Sequence, residues 1–311
     1  MHYTGTIWRP PYEASSLLLE ATAGCTHHQC KFCTLYNDLP FSFRMSSWRD
    51  IKSDLQEAQL WSTDPMAMLT ARLQGRPRPE RVRRVFLTGA NPFVLKYERL
   101  TAMAALIRQY LPSVRTIGCF ARITDVALKS DKELAALRQA GYNGLTIGLE
   151  TGDDEALRFM NKGYTAADAL TQCRRLDQAG IQYSFFYLAG ISGIGRGEIG
   201  ARATADLCNQ LRPTLIGVNI LTIYQDSALY QEIQRGRWQE ESEMEKYREI
   251  RALLESLRIP TRFAALGASN AFQLQGALPK DKDALASALD RIIRTVGEDE
   301  LRAYRESLPH L

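Results

Sequence analysis

The sequence lacks any hydrophobic run long enough to cross a membrane, and its charges nearly balance. No uninterrupted apolar stretch approaches the roughly 18 residues that a membrane-spanning helix needs. Lysine and arginine number 39 and aspartate and glutamate 35, and the net charge of +4 is too small to predict a nucleic-acid partner by itself. Residues 1–4 do not begin a basic and then apolar signal peptide. We therefore expect a cytoplasmic protein without a membrane partner.

Histidine and cysteine are scarce, with four and six residues in a chain of 311. Three of the cysteines, Cys119, Cys173 and Cys208, fall inside apparent strands or helices. That placement predicts small, buried hydrophobic side chains without a chemical role. Any metal or redox chemistry of the chain is therefore expected at the other three cysteines.

The other three cysteines, Cys25, Cys30 and Cys33, lie on one short segment in the pattern C-x4-C-x2-C. Thiolates this dense repel one another unless a metal or a disulfide absorbs their charge. Three sulfurs leave a four-iron cluster one ligand short, and the open iron can bind a small molecule. The hydrophobic run 17–19 precedes the segment, which predicts a loop at the carboxyl end of a strand, where α/β proteins place their chemistry. We interpret the loop as a [4Fe-4S] site.

Two other interpretations of this loop stay open from the residues alone. His27 or His28 could complete a Cys3His zinc site, and such a zinc-stabilised module could bind nucleic acid through the basic segment 72–84. Cys30 and Cys33 also form the C-x2-C pair of redox or disulfide loops. Metal content distinguishes these interpretations, since a cluster holds about four irons and a zinc site one ion.

The loop, the strand before it and the aromatic Phe32 beside its last cysteine resemble the radical S-adenosylmethionine (radical SAM) superfamily, in particular its coproporphyrinogen dehydrogenase and methylthiotransferase branches. The usual spacing there is C-x3-C-x2-C, so this chain has one extra residue between its first two cysteines. The resemblance covers roughly residues 8–280. It implies a [4Fe-4S] cluster on Cys25, Cys30 and Cys33, with S-adenosylmethionine on the fourth iron.

Strand-like and helix-like patterns alternate along the chain, which predicts an α/β fold with a parallel sheet. The predicted strands are 17–22, 85–87, 116–120, 144–149, 181–188 and 215–221. Six units favour a partial (β/α)6 TIM-like barrel, which the resemblance also implies. We expect a lead-in at 1–15, the radical SAM barrel at 16–258 and a C-terminal extension at 259–311 that covers the barrel mouth.

Four further segments are predicted as loops or as substrate contacts. The segment 62–82, rich in proline, glycine and arginine, is predicted as a long loop with a solvated basic face. The segment 258–282 is predicted as irregular, with Ser269-Asn270 closing over the site. The glycine-rich loop 190–197 is predicted to present backbone amides to a cofactor or substrate. Residues 224–230 are expected to touch substrate.

Small and polar residues at the ends of the predicted strands complete the site that the resemblance implies. Gly89, Ala90 and Asn91 stand where relatives often have Gly-Gly-Glu, whose glutamate accepts a hydrogen bond from the amino group of S-adenosylmethionine. Asparagine accepts such a bond without a charge, so backbone carbonyls become the alternative acceptors. Glu150 ends a predicted strand and would contact the ribose or the amino group, because a buried carboxylate needs a partner.

Three more side chains would bind S-adenosylmethionine by this resemblance. Lys162 would pair with its carboxylate, the alternative being a solvated lysine at a helix end. Arg122, just after a predicted strand, would face the same mouth. Phe32 would pack on the adenine.

These residues predict a radical SAM enzyme, an iron–sulfur oxidoreductase or transferase. One-electron reduction of the cluster would cleave the cofactor and release a 5′-deoxyadenosyl radical, which abstracts hydrogen from a substrate that the sequence does not identify. The electron donor would be a protein such as a flavodoxin or a ferredoxin. The cysteine spacing and Asn91 leave open an alternative in the same fold, the transfer of a 3-amino-3-carboxypropyl group to an acceptor.

Overall fold

A computed structural model describes residues 1–63, 65–73 and 81–308 of the chain. Ten strands and twelve α-helices lie in these residues, with short 3-10 helices at Pro11–Glu13 and Pro92–Val94. The strands are β1 (Leu17–Glu20), β2 (Thr22–Gly24), β3 (Phe43–Met45), β4 (Arg84–Thr88), β5 (Thr116–Ala121), β6 (Tyr142–Glu150), β7 (Tyr183–Ala189), β8 (Leu215–Ile220), β9 (Thr261–Ala265) and β10 (Leu274–Leu278). The helices are α1 (Trp48–Thr63), α2 (Pro65–Leu73), α3 (Tyr97–Tyr110), α4 (Ile123–Ala127), α5 (Asp131–Gln139), α6 (Asp154–Phe159), α7 (Ala166–Ala179), α8 (Gly197–Cys208), α9 (Ala228–Gln234), α10 (Glu243–Ser256), α11 (Lys282–Thr295) and α12 (Glu298–Glu306).

One sheet of eight strands organises the fold, in the order β1-β4-β5-β6-β7-β8-β9-β10. The first seven strands of this order run parallel, and β10 pairs antiparallel with β9. The end strands β1 and β10 do not pair with each other, so the sheet stays open. The predicted α/β class and partial TIM-like architecture are confirmed, with a seventh parallel strand added to the six predicted ones.

Two segments predicted as loops contain regular structure. The segment 258–282 forms β9 and β10, which lack a continuous run of large apolar residues. The segment 62–82 contains α2, while its residues 74–80 lie outside the described part of the chain. Because β9 pairs with β8 across the expected boundary at 258, the two parts share one sheet, and the division of the chain into domains stays a prediction.

Amphipathic helices form the buried layer that covers the sheet. Ser47 caps the amino end of α1, since its Oγ accepts a hydrogen bond from the Asp50 backbone N at 3.1 Å. The buried helix positions include Ile51, Leu55, Leu100, Met103, Ile107, Leu134, Leu137, Ala169, Leu176, Ala201, Ala205, Ile250, Leu254, Leu285 and Leu289. Cys119, Cys173 and Cys208 are buried as predicted. No described helix combines the length and apolarity of a membrane span.

One ion pair closes the amino ends of the central strands. Arg84 on β4 donates to Glu13 Oε1 at 2.6 Å and to Oε2 at 2.8 Å, and it also donates to the carbonyl oxygen of Asn143 at 2.8 Å. Gly118 and Gly144 leave room for the guanidinium, because a Cβ on them would lie 2.2 and 2.6 Å from Arg84 Nη2. The pair fixes the lead-in segment beneath the sheet.

Replacing Arg84 by methionine should lower the free energy of unfolding by about 3 kcal/mol, because Glu13 would become a buried carboxylate without its partner. The matched control is Arg83→Met, since Arg83 is exposed. That control should change stability by less than about 0.5 kcal/mol. Urea denaturation followed by circular dichroism measures both variants, and equal losses would contradict the role of the ion pair.

Candidate active site

The carboxyl ends of the parallel strands open into a cavity of about 580 Å³. Eight of the ten residues predicted for the site line this cavity. They are Cys25, Cys30, Phe32, Cys33, Ala90, Arg122, Glu150 and Lys162. The remaining two, Gly89 and Asn91, do not contribute to its wall.

The cysteine loop begins one strand later than predicted. The predicted strand 17–22 is interrupted at Ala21, and β2 then pairs with β3 in a separate two-stranded sheet. Gly24 ends β2 with a φ of 77°, and a Cβ there would lie 2.2 Å from the Ser42 carbonyl oxygen. That oxygen instead accepts a hydrogen bond from the Cys25 backbone N at 2.7 Å. The turn directs the cysteines over the main sheet.

Contacts on two sides hold the loop over the cavity. The Lys31 backbone N donates to the Met160 carbonyl oxygen at 3.1 Å, and the Leu229 backbone N donates to the Lys31 carbonyl oxygen at 2.7 Å. The Lys31 ammonium lies 4.1 Å from the centroid of the Phe159 ring. Phe32 packs against a small buried cluster that includes Met160 and Leu229. The segments after β6 and β8 thus position the loop.

Burial shapes the chemistry of two of the three thiols on the loop. Cys25, Cys30 and Cys33 are free and partly buried. Burial raises the pKa of Cys30, and burial together with Cys30 and Cys25 raises the pKa of Cys33 to about 12. Such thiols remain protonated until a metal ion replaces the proton. The donor set therefore fits an iron–sulfur cluster, and the neighbouring cations of Lys162 and Arg122 offset part of its negative charge.

The histidines of the loop are engaged elsewhere. His27 Nε2 lies 2.5 Å from the Asn161 carbonyl oxygen, and His28 Nε2 lies 3.1 Å from Asn37 Oδ1. Among the described residues, no three histidine, cysteine or acidic side chains converge as a single metal ion requires. A cluster needs its sulfurs spread over three different irons.

A strained residue at the end of β6 turns a carboxylate into the cavity. Glu150 has a φ of 63°, which is uncommon for a residue with a side chain, and the pairing of β6 with β7 shifts between Gly148 and Glu150. Glu150 Oε1 lies 3.1 Å from Lys162 Nζ. Gly148 leaves the space for this pair, since a Cβ there would lie 2.5 Å from Glu150 Oε1.

Lys162 is a buried cation and not a solvated lysine. Its side chain is 6% exposed, so the alternative of a helix-end lysine in water is wrong. Burial opposes its charge, but Tyr164 and Glu150 beside it outweigh burial and raise its pKa. Lys162 Nζ lies 5.6 Å from the centroid of the Phe32 ring and 5.7 Å from that of Tyr164. The cavity therefore holds a fixed positive charge next to an aromatic face.

A hydrogen-bond network behind the cavity connects the strand ends to the loop. Arg122 donates to the Lys162 carbonyl oxygen through its guanidinium and to Asp125 Oδ2 through its backbone N, the latter at 2.8 Å. Asn91 is fully buried, and its Nδ2 donates to both Asp125 oxygens at 3.1 Å and to Thr26 Oγ1 at 2.8 Å. The Asn91 amide thus holds the start of the loop, and its contact with the cofactor stays a prediction.

Gly89 supports the same region by its lack of a side chain. Its φ is 120°, and a Cβ would lie 2.1 Å from Thr22 Oγ1 and 2.4 Å from the Thr22 carbonyl oxygen. The end of β4 therefore packs directly on β2. The cofactor-binding role expected of Gly89 stays a prediction.

Several lining residues lack a recognisable motif. Residues 8–12 of the lead-in line the cavity, and the Tyr12 hydroxyl lies 2.8 Å from Thr146 Oγ1. Tyr36 lines it beside the cysteines, where burial and then the sulfurs of Cys25 and Cys33 raise its pKa. The one sequence feature that could have indicated a role for these residues is the aromatic and proline-rich composition of 8–12.

The C-terminal part of the chain reaches the cavity as well. Leu266 to Ser269 contribute to its wall, as does Tyr224 after β8, whereas Asn270 does not. The hydroxyl of Tyr304 on α12 donates to the Ala268 carbonyl oxygen at 2.8 Å. The C-terminal helix thus holds a segment of the mouth in place, and substrate contact by these residues stays a prediction.

The glycine-rich loop 190–197 does not line the cavity, contrary to the prediction. The Gly190 backbone N donates to Glu249 Oε2 at 2.6 Å. Gly197 lies against Glu241, whose Oε1 would be 2.2 Å from a Cβ at Gly197. Protein carboxylates from the α10 region occupy the loop that was expected to bind a ligand.

The family model of the radical SAM superfamily matches residues 19–201, more than half of the chain. The chain therefore belongs to the radical SAM superfamily, whose enzymes bind a [4Fe-4S] cluster and S-adenosylmethionine. Membership in an enzyme family replaces the alternative of a zinc-stabilised binding module. No curated protein matches the chain.

Three solved structures illustrate the shared fold. The radical S-adenosylmethionine methyltransferase TsrM from Kitasatospora setae, with cobalamin and a [4Fe-4S] cluster bound, has a TM-score of 0.50 and 17% identity over 71% of this chain and 37% of its own. Elp3 from the archaeon Methanocaldococcus infernus has a TM-score of 0.50 and 12% identity over 75% of this chain and 59% of its own. Methylornithine synthase PylB has a TM-score of 0.51 and 14% identity over 93% of this chain and 85% of its own. The chain thus spans less than two thirds of the first two proteins, and likeness at these identities shows the fold alone.

The network at Asp125 predicts a pH-dependent stability. Burial raises the pKa of Asp125 from 3.8 to about 6, against the hydrogen bonds from Arg122 and Asn91. Between these values the folded chain keeps a proton that the unfolded chain has lost. The contribution of this group to stability is therefore fully present below about pH 4 and falls by up to about 3 kcal/mol as pH rises through 6.

Asp125→Asn removes this titration. Cluster-free protein should be unfolded with urea at about pH 4.5 and at about pH 7. Most of the loss of stability caused by ionisation of Asp125 is expected between these two pH values. The wild type should lose more stability than Asp125→Asn between the two conditions. Parallel pH profiles of the two proteins would show that Asp125 does not titrate in this range.

Proposed function

We propose that Cys25, Cys30 and Cys33 hold the [4Fe-4S] cluster of this radical SAM enzyme and leave one iron for S-adenosylmethionine. A cluster and S-adenosylmethionine bound there would supply a 5′-deoxyadenosyl radical, because one electron from the reduced cluster would break the C–S bond to the adenosyl carbon and release methionine; that radical would abstract hydrogen from a substrate in the cavity. The observation that carries the proposal is the convergence of three free thiols and the ion pair of buried Lys162 with partly buried Glu150 on one cavity at the strand ends.

Lys162 and Glu150 suit the amino acid end of S-adenosylmethionine. That end carries a carboxylate and an ammonium group, and buried Lys162 and partly buried Glu150 carry the opposite charges at 3.1 Å from each other. Lys162 pairs with the carboxylate, and Glu150 accepts hydrogen bonds from the ammonium group or from the ribose hydroxyls. When the ligand binds, each side chain exchanges the other for a ligand group of opposite charge, so both charges stay compensated.

Phe32 and the apolar wall complete the binding site. The Phe32 ring lines the cavity next to Lys162 and offers the adenine a flat apolar surface. Most of the remaining lining is aliphatic or aromatic, which excludes water from the reacting groups. Exclusion of water leaves the bound substrate as the nearest source of hydrogen.

The electron enters through the exposed side of the cysteine loop. Radical SAM enzymes need a reductant as well as a substrate. Thr26 and Gln29 are exposed on the loop, so a protein donor can approach the cluster from solvent. We propose a flavodoxin or a ferredoxin as this donor.

Product analysis tests the proposed reaction. Protein with a cluster reconstituted under anaerobic conditions is incubated with S-adenosylmethionine and dithionite, and the nucleoside products are identified by mass spectrometry. The proposal predicts 5′-deoxyadenosine. Methylthioadenosine above the non-enzymatic background would instead indicate aminocarboxypropyl transfer. Protein that contains zinc and forms neither product would overturn the proposed function.

Cys30→Ala should reduce the iron and sulfide content to background and abolish 5′-deoxyadenosine formation, because the cluster loses one of its three ligands. His27→Ala is the matched control on the same loop, and it should keep the iron content of the wild type. Iron and zinc are measured by inductively coupled plasma mass spectrometry. If His27→Ala lost its metal and Cys30→Ala kept it, the proposed assignment of Cys30 as a ligand would be wrong.

Lys162→Met should raise the Kd for S-adenosylmethionine about 10- to 100-fold, because a buried charge-assisted contact is lost. The iron content should stay at the level of the wild type. Lys31→Met is the control, since Lys31 lies on the loop without lining the cavity. Equilibrium dialysis measures both variants, and equal changes in Kd would argue against a direct contact of Lys162 with the cofactor.

A further inference from the structure

The cavity has two parts of different chemistry. The charged residues Arg122, Glu150 and Lys162 surround its outer part, next to the cysteine loop. The inner part lies within the open sheet. We call this part the inner chamber and define it by the lining residues Phe120, Thr146, Phe186, Gly217, Asn219 and Ala264.

The inner chamber has an aromatic wall. The rings of Phe120 and Phe186 lie 6.5 Å apart between centroids, and Phe86 packs edge-on against Phe120 at 5.1 Å. Gly217 faces this wall, because a Cβ there would lie 3.0 Å from the Phe186 ring. A glycine inside a strand weakens the strand and marks a close approach. Here the missing side chain keeps space open beside the rings.

No charged residue is among those that define the inner chamber. Elsewhere in the cavity wall, Arg9 is exposed and donates to the Ala14 carbonyl oxygen at 3.3 Å. Below the inner chamber, Arg84 is bonded to Glu13. Above it, Lys162 pairs with Glu150, and Arg122 donates to the Lys162 carbonyl oxygen. An ionised group of a ligand in the inner chamber would therefore be desolvated without a counter-charge, which is strongly unfavourable.

One amide in the inner chamber is free to bind a ligand. The Asn219 side chain is partly buried and forms no hydrogen bond with any other residue that the structure describes. Its Oδ1 would lie 2.1 Å from a Cβ on Gly267, so that glycine provides the room for the amide. The other polar group of the chamber, Thr146, is already bonded to Tyr12 at 2.8 Å. Asn219 offers one acceptor and two donors to a single polar group.

We propose that the substrate of this enzyme is a neutral, largely apolar small molecule whose one hydroxyl, carbonyl or amide group is bound by Asn219. Its hydrocarbon part packs against Phe120 and Phe186, and one of its C–H bonds points towards the outer part of the cavity. Phosphorylated or ionised metabolites do not fit, because the inner chamber offers them no counter-charge. This inference rests on the proposed function, which assigns the outer part to S-adenosylmethionine.

The test measures binding of a homologous series of probes. Cluster-containing protein with S-adenosylmethionine and no reductant is titrated by calorimetry with straight-chain primary alcohols, carboxylates and alkylammonium ions of matched length. The affinity for the alcohols should rise about three- to four-fold with each added methylene group until the chamber is full. The charged analogues should bind at least about ten-fold more weakly. Carboxylates or ammonium ions that bind as tightly as the alcohols would overturn the proposal.

Two variants localise the binding. Gly217→Val fills the inner chamber and should reduce the affinity for the alcohols at least about ten-fold. Asn219→Leu should weaken binding of an alcohol but not of the 1-chloroalkane of equal length, since the amide pairs with the hydroxyl. Unchanged alcohol affinity in both variants would overturn the proposal.

Two separate readouts keep this inference distinct from the proposed function. Iron content and the Kd for S-adenosylmethionine check that each variant is folded. Protein that forms 5′-deoxyadenosine but does not bind the alcohols would overturn the substrate inference alone. Protein that prefers the alcohols but holds no cluster would overturn the proposed function alone.

Discussion

The ion pair between Glu150 and Lys162 is the interaction on which the arrangement of the cavity mouth depends. A left-handed backbone at Glu150 and a glycine at 148 are both needed to bring the carboxylate within 3.1 Å of the ammonium. Strain of this kind persists where the surrounding structure fixes it, and such sites are often functional. The same lysine is fixed through its carbonyl oxygen by Arg122, whose backbone is bonded to Asp125. The pair therefore connects β5 and β6 beside the proposed cluster.

The cysteine loop, which forms no part of the main sheet, takes its position from these strand ends. Asn91 bonds it from the β4 side, and the carbonyl oxygen of Met160 and the backbone N of Leu229 bond it from the segments after β6 and β8. Several elements thus hold the three thiols, and the raised pKa values of Cys30 and Cys33 disfavour their free thiolates. In the account proposed above, the cluster stabilises the thiolates, Lys162 and Arg122 offset its charge, and the apolar chamber below holds the molecule that reacts.

Local patterns predicted much of this structure, and long-range packing accounts for the rest. Hydrophobic periodicity located the six strands because each is a buried run followed by an amphipathic helix, and the dense cysteines located the loop. The strands β9 (Thr-Arg-Phe-Ala-Ala) and β10 (Leu-Gln-Gly-Ala-Leu) are no shorter than β1 and β4, but they lack a continuous run of large apolar residues. The bond of Asn91 to Thr26 joins residues 65 positions apart, so no local pattern indicated that this side chain holds the loop. The prediction for the glycines of 190–197 was wrong because Glu249, whose carboxylate accepts from the Gly190 backbone N, lies 59 positions further along the chain.

Electron paramagnetic resonance of the reconstituted, dithionite-reduced protein tests the central claim most directly, namely that three cysteines leave one iron of the cluster open. The account predicts a signal of a reduced [4Fe-4S] cluster whose g values change when S-adenosylmethionine is added, because the cofactor binds that iron. The change should be weaker at the same cofactor concentration in Lys162→Met. A cluster signal that saturating S-adenosylmethionine leaves unchanged would contradict the claim.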